Sequence, residues 1–225
     1  MMSTKEHSIL SRIFPLLLSI LLSCMVPLSA SEDASPYSIR LGYGFSDLND
    51  LGDILSGTWH RYEGDTSVIN LDSGYRFWKD VLDLPLDFYI KGGVSYFHEN
   101  GALYQGEVRE DFFEITTYAK AYLNLDFWYN RIRLGAGEGI SITQEIPIVE
   151  YIDAENSDGT RDPTAKFLNY LDLSVDLDVG RLIHVKSMEE LYFGYTLKHR
   201  SGAFGLFNGV HGGSNYNMFT IEKNY

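Results

Sequence analysis

The sequence has little cysteine and a shortage of basic residues. Cys24 is the single cysteine, so a disulfide within one chain is excluded. Lys and Arg number 18 against 31 Asp and Glu, which gives a net charge of −13. Nucleic-acid binding depends on neutralising phosphates with basic side chains, so we expect no nucleic-acid partner.

The glycine-rich stretches lack the strand–turn–helix context of nucleotide loops, and the histidines lack metal-ligand spacing. We therefore expect no cofactor and no metal.

Long apolar runs are also missing, except at the N-terminus. There, "IFPLLLSILLSCMVPLSA" (13–30) follows Lys5 and Arg12 and ends in small residues. This order predicts a secretory signal peptide over 1–30, leaving 31–225 as a single domain. A membrane anchor is the alternative, but Ser19, Ser23 and Pro27 interrupt the run, which is short for a span. "LLSC" loosely resembles a lipoprotein cleavage box.

Alternation of apolar and polar residues fills the rest of the chain. Tyr (16) and Phe (13) dominate the aromatic residues, which suits strands better than helices. A period of two residues predicts strands, because successive side chains of a strand point to opposite faces. The segments that show it are 37–46, 68–78, 86–98, 112–125, 131–145, 166–180, one that begins at 191, and 213–225.

Connector lengths indicate how these strands are arranged. The connectors 47–67, 99–111 and 146–165 are long and acidic, whereas 79–85 and 126–130 are short. Long loops at one end, short turns at the other and aromatic residues at the boundary are typical of outer-membrane barrels. We predict an all-β fold, an eight-stranded antiparallel transmembrane β-barrel of the outer membrane. A secreted β-sandwich is the alternative, since sandwich strands also alternate.

A barrel of this size has an interior filled by side chains, so we expect no pore. Basic residues on the polar face would pair there with acidic ones. The basic residues are Arg40, Arg76, Lys91, Lys120 and Arg133, and the acidic ones are Asp72, Asp87, Glu114, Asp172 and Asp176.

The seventh strand places two polar residues on its apolar face. His199 and Ser201 continue the series Leu191, Phe193, Tyr195 and Leu197, so they face the bilayer near the outer end of that strand. Residues two apart on a strand have Cα atoms roughly 6.5–7 Å apart, which lets an imidazole reach a hydroxyl. A neighbouring base is what activates a serine nucleophile. The alternative is that both side chains simply meet the lipid headgroups.

A barrel whose penultimate strand ends in "HRS" (199–201) resembles the outer-membrane lipid A 3-O-deacylase family. The resemblance implies a Gram-negative outer-membrane location, with lipid A, or lipopolysaccharide, and the outer-membrane bilayer as partners. It also implies that Ser201 attacks an acyl ester with His199 as general base. Gly202 replaces the family's Asn, and the following segment lacks a clear Glu; the nearest candidates to orient His199 are Asn208, His211, Ser214 and Asn215. We assign Asn215 to this role, because it lies at the start of the eighth strand, beside the seventh, on the same parity as Phe219. We assign Gly202 and Asn208 to the substrate and oxyanion.

Glu138 and Asn169 also fall on the apolar face and would extend a polar groove on the barrel exterior. A bulge in the glycine-rich "GAGEG" would instead turn Glu138 inward. Two functions remain from the sequence. One is a lipid A esterase, and the other is a non-enzymatic barrel with a structural or surface-interaction role. The sequence is compatible with a homodimer.

Overall fold

A computed structural model describes residues 36–64, 66–100, 103–104 and 107–225. The signal peptide and the lipoprotein-like box predicted from the sequence lie outside the described residues.

Within these ranges, eight long strands close into one antiparallel barrel. They are β1 (Tyr37–Asp47), β2 (Ser67–Trp78), β3 (Leu86–His98), β6 (Phe112–Phe127), β7 (Asn130–Thr143), β8 (Phe167–Asp178), β9 (Leu191–Ser201) and β10 (Gly213–Asn224). β4 (Leu103–Tyr104) and β5 (Glu107–Val108) pair in a separate two-stranded sheet. The barrel order is β1-β10-β9-β8-β7-β6-β3-β2, so β1 closes the barrel against β10. The predicted barrel is confirmed, and the sandwich is excluded.

Helical structure in the described ranges is short. The helices are α1 (Leu51–Leu55), α2 (Ile148–Asp153) and α3 (Val179–Leu182), with 3-10 turns at Val81–Asp83 and Lys186–Met188. None of the described helices has the length and apolar character needed to cross a membrane.

The barrel interior is a packed network of charged side chains. Arg40 pairs with Asp72 at 2.9 Å and with Asp172, and it is 1% exposed. Arg133 pairs with Asp176 at 3.1 Å. Lys120–Asp172 and Arg76–Asp87 also join a member of the predicted basic set to a member of the acidic set. Glu114 differs from expectation, since it binds Lys198 and Arg200 on β9. Burial of these side chains shows a filled interior along the described strands, as the strand number predicts.

The barrel exterior is apolar. Leu71, Ile115, Val175 and Phe219 point outward and are each half or more exposed. Apolar side chains outside and paired charges inside invert the usual arrangement of a soluble sheet. This inversion is the arrangement of a barrel whose surroundings are lipid.

Helix α2 closes one mouth of the barrel. Ile148 and Val149 are buried in a cluster with residues from several strands, which are Val68, Phe97, Phe112, Tyr216 and Met218. Glu150, next in α2, pairs with Arg200 on β9 and accepts a hydrogen bond from Ser214 on β10 at 2.8 Å. The connector that carries α2 therefore holds the end of the β9–β10 hairpin in place.

Candidate active site on the outer face of the barrel

The side chains of β9 point alternately into and out of the barrel, and this alternation sets the direction in which the candidate residues point. Lys198 and Arg200 point inward and are 0% exposed. Their neighbours His199 and Ser201 therefore point outward, and both are half-buried. In the paired strand β10, Asn215 lies opposite His199 and Gly213 lies opposite Ser201. The three residues assigned to catalysis thus share one outward patch.

The imidazole of His199 is held by the amide of Asn215. His199 Nδ1 and Asn215 Oδ1 are 2.7 Å apart. The Asn215 amide nitrogen donates to the backbone carbonyl of Asn49 at 2.9 Å. A carbonyl only accepts, so this bond turns the amide oxygen toward the ring. His199 Nδ1 consequently carries the proton, and Nε2 is left as the basic nitrogen.

Ser201 lies beside this imidazole at the last position of β9. Its Oγ accepts a hydrogen bond from the backbone N–H of Ala203 at 3.4 Å. Within the described part of the chain, no hydrogen bond joins Ser201 to His199. Catalytic hydrogen bonds are often loose in substrate-free sites and tighten when the substrate binds.

The two residues assigned to the oxyanion have other partners. The Gly202 N–H donates to the carbonyl of Gly212 at 3.2 Å. The Asn208 amide donates to the carbonyl of Phe167 at 3.0 Å. Their role at an oxyanion stays a prediction. The backbone N–H of Ala203 is the donor that contacts Ser201 Oγ.

Glu138 and Asn169 extend the polar patch across two more strands. The β7–β8 register runs without a shift from Ile132 to Ile142, so the bulge considered for "GAGEG" is wrong and Glu138 points outward. Asn169 lies directly opposite Ser201. Its amide nitrogen donates to a Glu138 carboxylate oxygen and to the Gly139 carbonyl. The outward polar row is therefore Glu138, Asn169, Ser201, His199 and Asn215.

Loop 1 (48–64) packs against the same face of the barrel, which the sequence did not predict. Asp47, at the end of β1, is 2% exposed although it points outward. It accepts hydrogen bonds from the backbone N–H groups of Asn49 (2.9 Å) and His60 (3.1 Å), and from the Asn217 amide (2.6 Å). Trp59 stacks on Tyr195 with ring centroids 5.5 Å apart. Loop 1 therefore forms one wall beside His199.

Asp153, a carboxylate on α2, interacts electrostatically with the imidazole of His199. Asp153 of α2 accepts the Gly213 N–H at 2.9 Å, which anchors it beside the start of β10. Burial raises the pKa of Asp153, whereas the Gly213 N–H and nearby His199 act to lower it. In the described ranges, no group of three or more His, Cys, Asp and Glu is arranged to hold a metal ion.

No protein-family model and no curated protein matches the chain. Among solved structures, it is similar to the crystal structure of the outer membrane enzyme PagL, with 10% identity and a TM-score of 0.51, covering 83% of this chain and 98% of that one. It is also similar to Neisserial surface protein A (11% identity, TM-score 0.45, covering 86% of this chain and 99% of that one). A further match is the N-terminal β-barrel domain of Pseudomonas aeruginosa OprF, with 12% identity and a TM-score of 0.39, covering 86% of this chain and 100% of that one. At 10% identity, the likeness to the PagL structure shows a shared fold and nothing finer.

Proposed function

We propose that this protein is an outer-membrane esterase that hydrolyses an acyl ester of lipid A in the outer leaflet of a Gram-negative bacterium. The hydrogen bond that orients His199, next to Ser201 on the outward face, carries the proposal. This position meets the bilayer directly, so a lipid ester reaches the serine without entering the barrel. PagL, which shares the fold, is itself described as an outer membrane enzyme.

The chemistry follows from the orientation of the imidazole. Nε2 of His199 takes the proton of Ser201 as Oγ attacks the ester carbonyl carbon. The Ala203 N–H donates to Ser201 Oγ, so it is close enough to donate to the carbonyl oxygen as that oxygen gains negative charge. The imidazolium then protonates the departing sugar oxygen. Water, deprotonated by the same nitrogen, releases the fatty acid from Ser201.

Asn215 fulfils one of the two roles of the third member of a triad. Its oxygen holds the ring in the correct tautomer, but a neutral amide does not stabilise the imidazolium as a carboxylate does. Asp153 and Glu138 supply negative charge from a greater distance. We therefore expect a slower enzyme than one with a carboxylate in direct contact with its histidine.

A non-enzymatic barrel is the second candidate. The observation that favours it is the missing hydrogen bond between Ser201 and His199 among the described residues, together with the neutral partner of the histidine. Long acidic loops would then serve a surface role.

Labelling with a lipid-like fluorophosphonate separates these candidates, because the probe reacts with activated serines. We expect the wild type to be labelled in outer membranes and Ser201→Ala to be unlabelled. Ser73 points outward on β2, away from the site, so Ser73→Ala is the matched control and should label like the wild type. Equal background labelling of all three proteins would reject the activated serine.

A further inference from the structure

Asn169 has one fixed orientation, because both of its amide hydrogens are used. Its Nδ2 donates to a Glu138 carboxylate oxygen and to the Gly139 carbonyl at 3.3 Å. Both partners only accept hydrogen bonds, so the nitrogen faces β7. The amide oxygen of Asn169 must then face the opposite neighbour, β9.

That oxygen lies beside the candidate nucleophile. Asn169 and Ser201 are directly paired across β8 and β9. Paired residues of an antiparallel sheet have Cβ atoms about 4.5–5.5 Å apart. In the described part of the chain, no donor is hydrogen-bonded to Asn169 Oδ1. The site therefore presents an acceptor without a partner, next to the serine and on the same face.

We propose that Asn169 Oδ1 determines substrate specificity by accepting a hydrogen bond from an N–H or O–H group adjacent to the scissile ester. Glu138 is a positioning residue that acts through Asn169, because it prevents the amide from rotating. This inference rests on the proposed esterase function. Within that function, the substrate that fits is an acylated amino sugar, whose amide N–H lies beside the ester. A glycerophospholipid has a second ester at that place and offers no donor.

The substrate specificity has an energetic cause, because a substrate without the donor leaves Asn169 Oδ1 unpaired. A site built to hydrogen-bond a substrate N–H or O–H rejects an analogue without it far more strongly than an apolar pocket rejects a size change. Asn169 is 9% exposed, so a bound substrate readily covers its amide oxygen. We expect a preference of at least about tenfold in kcat/KM.

Two synthetic substrates test the inference in the full-length protein in outer membranes. One is a glucosamine with an acyl ester at O3 and an acyl amide at the neighbouring carbon. The other is the 2-deoxy analogue with the same ester and no amide. We expect the wild type to prefer the first substrate. Asn169→Leu should remove the preference, because it lowers kcat/KM for the amide substrate much more than for the deoxy analogue.

Glu138→Leu is the second variant, since Glu138 points outward and its replacement leaves the interior intact. Releasing the amide to rotate should weaken the preference without abolishing hydrolysis. Heat-dependent gel mobility verifies that each barrel is folded. If the wild type hydrolyses both substrates equally, or Asn169→Leu keeps the preference, the inference is wrong and the esterase stands. If the wild type hydrolyses neither substrate, the proposed function fails and the inference with it.

Discussion

Replacing Asn215 in two ways separates its contact with His199 from its contact with loop 1. Asn215→Leu and Asn215→Asp both remove the amide donor to the Asn49 carbonyl. Only the aspartate keeps an acceptor on His199 Nδ1. The pair therefore isolates the contribution of the imidazole contact, and each variant controls for the effect of the other on loop 1.

The magnitudes follow from the strengths of the two hydrogen bonds. A neutral hydrogen bond contributes about 1 kcal/mol, so Asn215→Leu should lower kcat by roughly five- to tenfold. A charged acceptor adds about another 1 kcal/mol, so Asn215→Asp should exceed the wild type by about fivefold. The two variants should then differ by a factor on the order of 30 or more.

The assay is hydrolysis of a p-nitrophenyl fatty-acid ester by the folded protein in detergent micelles. Measuring kcat separately from KM shows whether the chemical step or binding has changed. Equal kcat values for Asn215→Leu and the wild type would refute the assignment of Asn215 as the residue that orients His199.

Three further predictions concern the surroundings of the site. Burial raises the pKa of Glu150 to about 7, although the Arg200 guanidinium and the Ser214 hydroxyl act to lower it. The ordinary pKa of this carboxyl, which it has in the unfolded chain, is 4.5. Between these two values, the folded protein therefore binds more protons than the unfolded chain. Stability should therefore fall as pH rises through that window, and Glu150→Gln should flatten the pH dependence of the unfolding temperature. Trp59→Ala should expose loop 1 to proteolysis, whereas Trp128→Ala, in an exposed turn at the other end, should not. A Cβ on Gly202 would lie 1.8 Å from the backbone carbonyl oxygen of Val210. Gly202→Ala should therefore destabilise the hairpin by about 1–3 kcal/mol in a denaturant titration. Gly52 has open space around it, so Gly52→Ala is the control and should be neutral.

The strands were predictable because their side-chain period is local. Barrel strands alternate over their whole length, so each one is visible without knowing its neighbours. The predicted segments 131–145 and 166–180 each run two residues past the observed strand ends, which are Thr143 and Asp178. The turn at Trp128 and Tyr129 has positive φ angles, which apolar alternation does not report.

The candidate site was predictable only where it depends on strand parity. Parity placed His199, Ser201 and Asn215 on one face, since each lies within a regular strand. It did not predict the docking of loop 1, because the contact between Trp59 and Tyr195 joins residues far apart in the sequence. The glycines around Glu138 suggested a bulge, but the observed register has none, since neighbouring strands fix the pairing.

Mass spectrometry of lipid A tests the central claim most directly. Lipid A would be extracted from Gram-negative cells that express the wild type, Ser201→Ala or Ser73→Ala, with each barrel shown to be folded in the outer membrane. The esterase account predicts the loss of one ester-linked hydroxyacyl chain with the wild type and Ser73→Ala, and unchanged lipid A with Ser201→Ala. Unchanged lipid A in all three strains would contradict it.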